Sequence, residues 1–362
     1  MKSNFKKILA MLLALLMLGS LMACGNKSDS TDPADSSEDA APAAATEGTG
    51  DVTEGLVTSE SGAGKTIGFS IASLAGNPFW QVMLDRLTAG FEARGYEVKY
   101  ADGGGDVTKQ MEDIQNFIGM GVAAIVINPY ASDSVVDVSK QAEAAGIPVF
   151  AVDIPIGDEG YCIATFICDN FTLGKESGKL AASRFGKGET VDAIILSGYA
   201  GGEDSWDRRM GFISGICDYQ IENYSGTNFN VLYQIYCNYE QEMAYEKMVD
   251  IITTYNGDFD VVFCENDAMA MGAITAIEEA NLNPADYIVL GIDGIRQGYE
   301  NIMDGKQFAT GVNSPIDVAD LTVDGVDRYL NGDVTVSGTT YTQWAIVTAD
   351  NVSDYYDVNS LY

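Results

Sequence analysis

Any chemistry in this chain has to be done without histidine: 53 Asp and Glu stand against 20 Lys and Arg, and His is absent. That removes Ser-His-Asp and Cys-His nucleophile pairs, the HExxH zinc helix and the usual general base near neutral pH. Carboxylates and amides remain, and several close short apolar runs: Asn128, Asp153, Asn266-Asp267 and Asp293. A carboxylate pair can act as acid and base on a glycosidic bond. The same groups can instead hold a polar ligand, carboxylates accepting hydrogen bonds and amides both donating and accepting. Asp and Asn after strands also start turns and cap helices.

Other reactive patterns are incomplete. Gly62-Ala63-Gly64-Lys65-Thr66 ends like a phosphate-binding loop, but Ser59 stands where that loop needs Gly, and the apolar strand follows rather than precedes it. No CxxC occurs among the 6 Cys, so zinc ribbons and dithiol redox sites are unsupported. Cys162 and Cys168 lie in an extended run, roughly 20 Å apart, too far for a disulfide. Neither a metal nor a cofactor is expected.

The elements that must position these groups alternate regularly. An apolar run at 66–71 reads as a buried strand, and Asn77-Pro78 opens a helix whose stripe is Phe79, Val82, Met83, Leu87 and Phe91. Strands follow at 97–100, 123–128 and 148–153, with helical periodicity between them. A second series starts after Asp169 with a helix, then strands at 192–197, 230–236, 260–265 and 287–292. Strict alternation implies right-handed βαβ crossovers and parallel sheets covered on both faces. Two such series predict an α/β protein of two doubly wound lobes, with ligands outside the carboxyl ends of the strands.

The first 24 residues carry Lys2, Lys6 and Lys7, the apolar run 8–18, then Leu21-Met22-Ala23-Cys24. The run is too short for the roughly 20 residues that span a bilayer, and reads as a secretory leader. Small or apolar residues before Cys24 are similar to a bacterial lipobox, which implies cleavage after residue 23 and lipid on Cys24. Residues 24–64 are Ser-, Ala-, Gly- and acid-rich and are expected to be a disordered linker. Losing the leader's lysines takes the formal net charge from −33 to −36. So acidic a chain is repelled by nucleic acid, whose binding depends on Lys and Arg.

Taken together, the motifs resemble the ribose-binding family of periplasmic sugar-binding proteins, the type I receptors of ABC importers, from Lys65 to about Ala349. Asn77-Pro78-Phe79-Trp80 is similar to the family's Asn-Pro-Phe-aromatic opening, and Ile127-Asn128-Pro129 to its Ile-Asn-Pro. Arg208-Arg209-Met210-Gly211-Phe212 is similar to its Arg-x-x-Gly-Phe helix, and Gly291-Ile292-Asp293-Gly294 to its Gly-Phe-Asp-Gly element. The most specific match is Asn266-Asp267-Ala268-Met269-Ala270-Met271-Gly272. The resemblance implies a sugar site of Asn77, Phe79, Trp80, Asn128, Asp153, Arg208, Tyr239, Asn266, Asp293 and Asn313. Ile154 stands where the family has an arginine after the aspartate.

It further implies an N-terminal lobe of 65–168 plus 314–342 and a C-terminal lobe of 169–313 plus 343–358, joined by a three-stranded hinge. The expected function is that of a monomeric receptor rather than an enzyme. It would be lipid-anchored outside the membrane of a single-membrane bacterium and hand a monosaccharide or polyol to an ABC permease and its ATPase. A sensor feeding a chemoreceptor or histidine kinase keeps the same fold, and a secreted carbohydrate-active enzyme is the more distant alternative. Without His, affinity is expected to be flat between about pH 5 and 8. Alanine at Asp153, Arg208 or Asp293 is expected to abolish binding and leave the fold intact.

Overall fold

The computed structural model describes residues 52–75, 78–360 and 362. The leader, Cys24, most of the linker and Asn77 lie outside the described residues.

One sheet is built from β1 (Thr66–Ile71), β2 (Glu97–Asp102), β3 (Ala124–Ile127), β4 (Val149–Val152), β5 (Ala164–Ile167) and β11 (Gly338–Tyr341). Its order is β11-β5-β4-β3-β1-β2, with every neighbouring pair parallel. The other takes β6 (Val191–Ser197), β7 (Phe229–Tyr236), β8 (Val261–Cys264), β9 (Ile288–Asp293), β10 (Ala309–Val312) and β12 (Ile346–Thr348) in the order β12-β10-β9-β8-β6-β7. Here β12 alone is antiparallel to its neighbour. Central strands such as β4 and β8 are short apolar runs buried on both faces, as a sheet between two helix layers requires. The edge strands β2 and β7 are largely exposed and carry the polar residues.

Helices α1 (Pro78–Glu92), α2 (Val107–Met120) and α3 (Val136–Ala144) cross between strands of the first sheet. The second sheet has α4 (Asn170–Ala182), α5 (Glu203–Tyr224), α6 (Gln241–Tyr255), α7 (Asp267–Glu279) and α8 (Arg296–Met303). In each sheet the winding reverses beside the first strand of the series, which opens a crevice at the carboxyl ends. The two-lobed α/β architecture expected from the alternation is therefore present. The chain passes between the sheets three times, after β5, after β10 and after β11, and the second passage leads into α9 (Pro315–Leu330), which packs on α1. The short strands β5, β10, β11 and β12 do not stand out in the sequence, because each carries Thr or Gly and lacks the continuous apolar run that marks β3, β4 and β8.

The linker ends earlier than composition suggests. Arg86 of α1 grips Asp320 of α9 through Nε at 2.6 Å and donates from Nη1 to the carbonyls of Val52 and Glu54 at 2.8 and 2.7 Å. Farther along, the amides of Ser59 and Gly62 donate to the carbonyls of Ala93 and Arg94. Residues 52–64 are thus bound to the α1–α9 face, correcting their assignment to a disordered linker. Main-chain carbonyls meeting a buried guanidinium replace the apolar side chains that the segment lacks.

The most sequence-specific packing is between α4 and α5. A Cβ on Gly174 or Gly178 would come within 2.1 Å of the carbonyl oxygens of Arg208 and Phe212 respectively, and one on Gly211 within 2.2 Å of that of Phe171. The two backbones approach because these positions have no side chain. Gly211→Ala should force α5 outward, costing about 1–3 kcal/mol by urea denaturation and weakening ligand binding, because Arg208 lies one turn away on that helix.

Candidate ligand-binding site

Side chains from the carboxyl ends of both sheets converge on one narrow cavity. The first sheet contributes Phe79 and Trp80 from the start of α1, and Asp153 from the loop after β4. From the second come Asp204 and Arg208 on α5, Tyr239 after β7, Asn266 before α7, Asp293 ending β9 and Asn313 after β10. All are buried, Arg208 to 3% exposure and Asp153 to 6%.

Of the residues expected from sequence, eight line this space, and Asn77 lies outside the described residues. Asn128 stands one layer behind: its Oδ1 accepts from the Ala72 amide at 3.3 Å, and its Nδ2 donates to the Val152 carbonyl at 3.2 Å and to Asp153 Oδ2 at 3.4 Å. Asn128 therefore orients Asp153. Asn266 reaches the cavity but also caps α7, its Oδ1 accepting from the Met269 amide at 2.9 Å while Nδ2 donates to the Tyr239 carbonyl at 3.2 Å. The cap role open to Asn in the sequence is real here, and it fixes the loop that carries Tyr239.

Arg208 is tied down from several sides. Nε donates to Asn170 Oδ1 at 2.8 Å, Nη1 to the Glu265 carbonyl at 2.5 Å, and Nη1 lies 3.6 Å from Asp293 Oδ1. Its guanidinium faces the Tyr239 ring with 5.7 Å to the centroid. Trp80 Nε1 donates to Asp153 Oδ2 at 2.9 Å, and Asn313 donates to both Asp153 and Asp293. Asp153, Tyr239 and Asp293 have φ of 65°, 62° and 123°, values costly for residues with a Cβ. Three strained backbones around one cavity mark it as the place where conformation serves binding. Gly198 matches that strain, since a Cβ there would lie 2.0 Å from the Tyr239 ring.

Behind this layer sit two further carboxylates. Glu265 accepts from the Gly198 amide at 2.7 Å and Ser205 Oγ at 2.5 Å, holding the start of α5. Asp267 accepts from the amides of Gly294 and Ile295 at 2.9 and 3.1 Å, from Gln307 Nε2 at 2.7 Å and from Thr310 Oγ1 at 2.8 Å. It fixes the turn that presents Asp293.

Sequence reasoning missed Asp204, Tyr199 and Tyr362. Asp204 Oδ2 accepts the Tyr239 hydroxyl, and its place four residues before Arg208 on one helix was the signal that could have found it. Tyr199 stacks on Trp80 at 5.8 Å and lies tilted against Tyr130 at 4.2 Å, joining the two lobes beside the cavity. Tyr362 meets Phe79 edge-on at 5.6 Å. No motif announces either tyrosine.

Burial dominates the electrostatics. It raises Asp153 to about 6, helped by the charge of Asp204, and raises Asp293 well above the carboxylate range against the pull of Arg208. Burial likewise lifts Glu265 to about 7 and Asp267 to about 6 despite their hydrogen bonds. Burial thus moves carboxylates toward the pH 5 to 8 range without histidine, so a pH-dependent affinity replaces the flat one as the expectation.

Comparison with known proteins follows the same outline. Residues 67–333 match the periplasmic binding protein domain. The ribose import binding protein of Salmonella typhimurium is 30% identical over 268 residues, 74% of this chain and 86% of that protein. The galactofuranose-binding protein of Escherichia coli is 30% identical over 243 residues, 66% of this chain and 74% of that one. Among solved structures, an ABC transporter solute-binding protein of Mycobacterium smegmatis with bound glycerol superposes with a TM-score of 0.74 at 31% identity, covering 83% of this chain and 100% of the other.

Proposed function

Because the chain belongs to the periplasmic binding protein domain family, we propose that it is an extracytoplasmic receptor that closes around a monosaccharide or polyol and delivers it to an ABC permease. The observation that carries this reading is the cavity itself, where polar groups from both lobes converge beneath aromatic rings. A sugar offers a rim of hydroxyls and two faces of C–H groups. Carboxylates and amides answer the rim, and Trp80, Phe79 and Tyr239 answer the faces.

Closing the lobes without a ligand brings three carboxylates and one guanidinium out of water, and a ligand that supplies hydrogen-bond donors offsets that cost only in the closed form. Ligand thus shifts the population toward closure about the three crossings. The permease and its ATPase would read the closed form, and lipid on Cys24 would hold the receptor beside them. Among the described residues no helix is long and apolar enough to cross a membrane. Binding and release need no covalent step, so recovered sugar should be chemically unchanged.

A thermal-shift screen over pentoses, hexoses and polyols tests this, since a ligand at 100 times its Kd adds about 2.7 kcal/mol of stability. At least one sugar should raise Tm, and a panel with no response, or turnover of a sugar, would sink the proposal.

The raised carboxylates give a second expectation. Asp153, Glu265 and Asp267 hold protons more tightly folded, at about 6 to 7, than unfolded, at about 4. Their contribution to the stability of the closed fold is therefore present near pH 4 and is lost as pH rises through 6 to 7. Affinity runs the other way, because hydroxyl donors favour an ionised Asp153 and expel its proton. Calorimetric titration from pH 8 to pH 5 should show affinity falling, by at most about tenfold per pH unit for one proton. An unchanged Kd across that range would contradict the assignment of Asp153.

A further inference from the structure

Within the receptor reading, on which this rests, we infer that the preferred ligand carries a protonated amine, an amino sugar or amino polyol rather than a neutral one. The charges and the unpaired atoms of the cavity both point there. Asp153, Asp204 and Asp293 share it with the single cation Arg208. The arginine is partly committed, with Nε on Asn170 and Nη1 on the Glu265 carbonyl and Asp293, so Nη2 is what it has left for a ligand acceptor. Two buried oxygens of cavity-lining residues have no partner, Asp204 Oδ1 and Asn313 Oδ1, and both are acceptors. The complement of such a surface is positive and rich in donors. An ammonium has three N–H donors, no acceptor and one positive charge, and the aromatic side chains of Trp80, Phe79 and Tyr239 line the same cavity. A neutral hydroxyl supplies one donor and no charge to offset the ionisation of these buried acids.

The approach to the cavity carries the same bias. A larger groove of about 690 Å³ adjoins it through Tyr199, which lines the groove and stacks on Trp80 of the cavity. Asp133, Asp137, Asp158 and Glu159 line it from one lobe and Glu203 from the other. Its one cation, Arg209, lies against the rings of Trp206 and Tyr236 with its Nη1 on Ser197 Oγ at 3.1 Å. A cleft lined by one sign of charge concentrates ligands of the opposite sign.

The test is calorimetry at pH 7 on matched pairs: D-glucosamine against D-glucose, D-galactosamine against D-galactose, and glucamine against sorbitol, with the N-acetyl hexosamines as uncharged controls. At least one amine should bind roughly tenfold or more tighter than its hydroxyl and N-acetyl partners. Asp204→Asn should shrink that amine-to-hydroxyl ratio by roughly tenfold or more, as removal of one partner of a buried charge pair does. Equal or tighter binding of a neutral partner, or an unchanged ratio in Asp204→Asn, overturns the inference and leaves the sugar receptor standing. No binding in either series removes both.

Discussion

Arg208→Ala is expected to lose all measurable ligand affinity and, in addition, about 3–5 kcal/mol of unliganded stability, the cost of breaking a buried ion pair by removing one partner. The second effect separates it from Asp153→Ala. Most of the groups Arg208 touches belong to its own lobe: Asn170, the Glu265 carbonyl, Asp293 and the Tyr239 ring. Opening the cleft does not relieve their loss, and Asp204 and Asp293 would face each other uncompensated in a buried space. The expectation of an intact fold is therefore kept for Asp153 and Asp293 and replaced, for Arg208, by this loss of stability. Urea denaturation without ligand measures the difference. Arg208→Lys should recover part of the stability through its charge but little affinity, because an ammonium lacks the planar fork. An Arg208→Ala protein with unchanged urea midpoint would show that the guanidinium serves the ligand alone.

Asp267→Ala is expected to be nearly as damaging although the side chain never meets the cavity. It would strip four buried donors of their acceptor: the Gly294 and Ile295 amides, Gln307 Nε2 and Thr310 Oγ1. Each buried donor left unpaired costs roughly 1–3 kcal/mol, so a loss of at least about 3 kcal/mol is expected in urea. Affinity should fall as well, since the turn it secures holds Asp293 at a φ of 123°. Room for this carboxylate is made by glycine: a Cβ on Gly291 would lie 2.0 Å from Asp267 Oδ1, and one on Gly298 2.8 Å from Oδ2. Gly291→Ala should therefore reproduce much of the Asp267→Ala defect, and a wild-type urea midpoint in both variants would refute the positioning role.

These two residues show what could be read in advance. Arg208 and Asp267 both stand in recognisable motifs, but only the arginine enters the sugar site the resemblance implies, while Asp267 is one of several acids that close apolar runs. Nothing in a linear motif distinguishes an aspartate that meets a ligand from one that meets four protein donors, because the donors arrive from residues 27 to 43 positions away. Asn128 illustrates the converse. It ends a strand beside the crevice, as a ligand group would, yet its Oδ1 is taken by the Ala72 amide and its Nδ2 by the Val152 carbonyl and Asp153.

Charge was legible only as a total. The absence of histidine excluded whole classes of catalysis, but it did not make the site insensitive to pH, because titration near neutrality follows from desolvation as much as from residue type. Burial lifts Asp153 to about 6, and no count of acids shows which of them are buried.

The sequence by itself determined the alternation of elements, and with it the two doubly wound sheets and the strand ends where side chains could act, since periodicity and chain connectivity are local properties. Tertiary structure alone decided which of those side chains share one cavity, that Asp204 joins them with Tyr199 and Tyr362 packed on their rings, and that residues 52–64 belong to the folded body. The reason in each case is long-range contact: burial, net charge and unpaired hydrogen-bonding atoms are properties of a volume, and they exist only once distant segments enclose it.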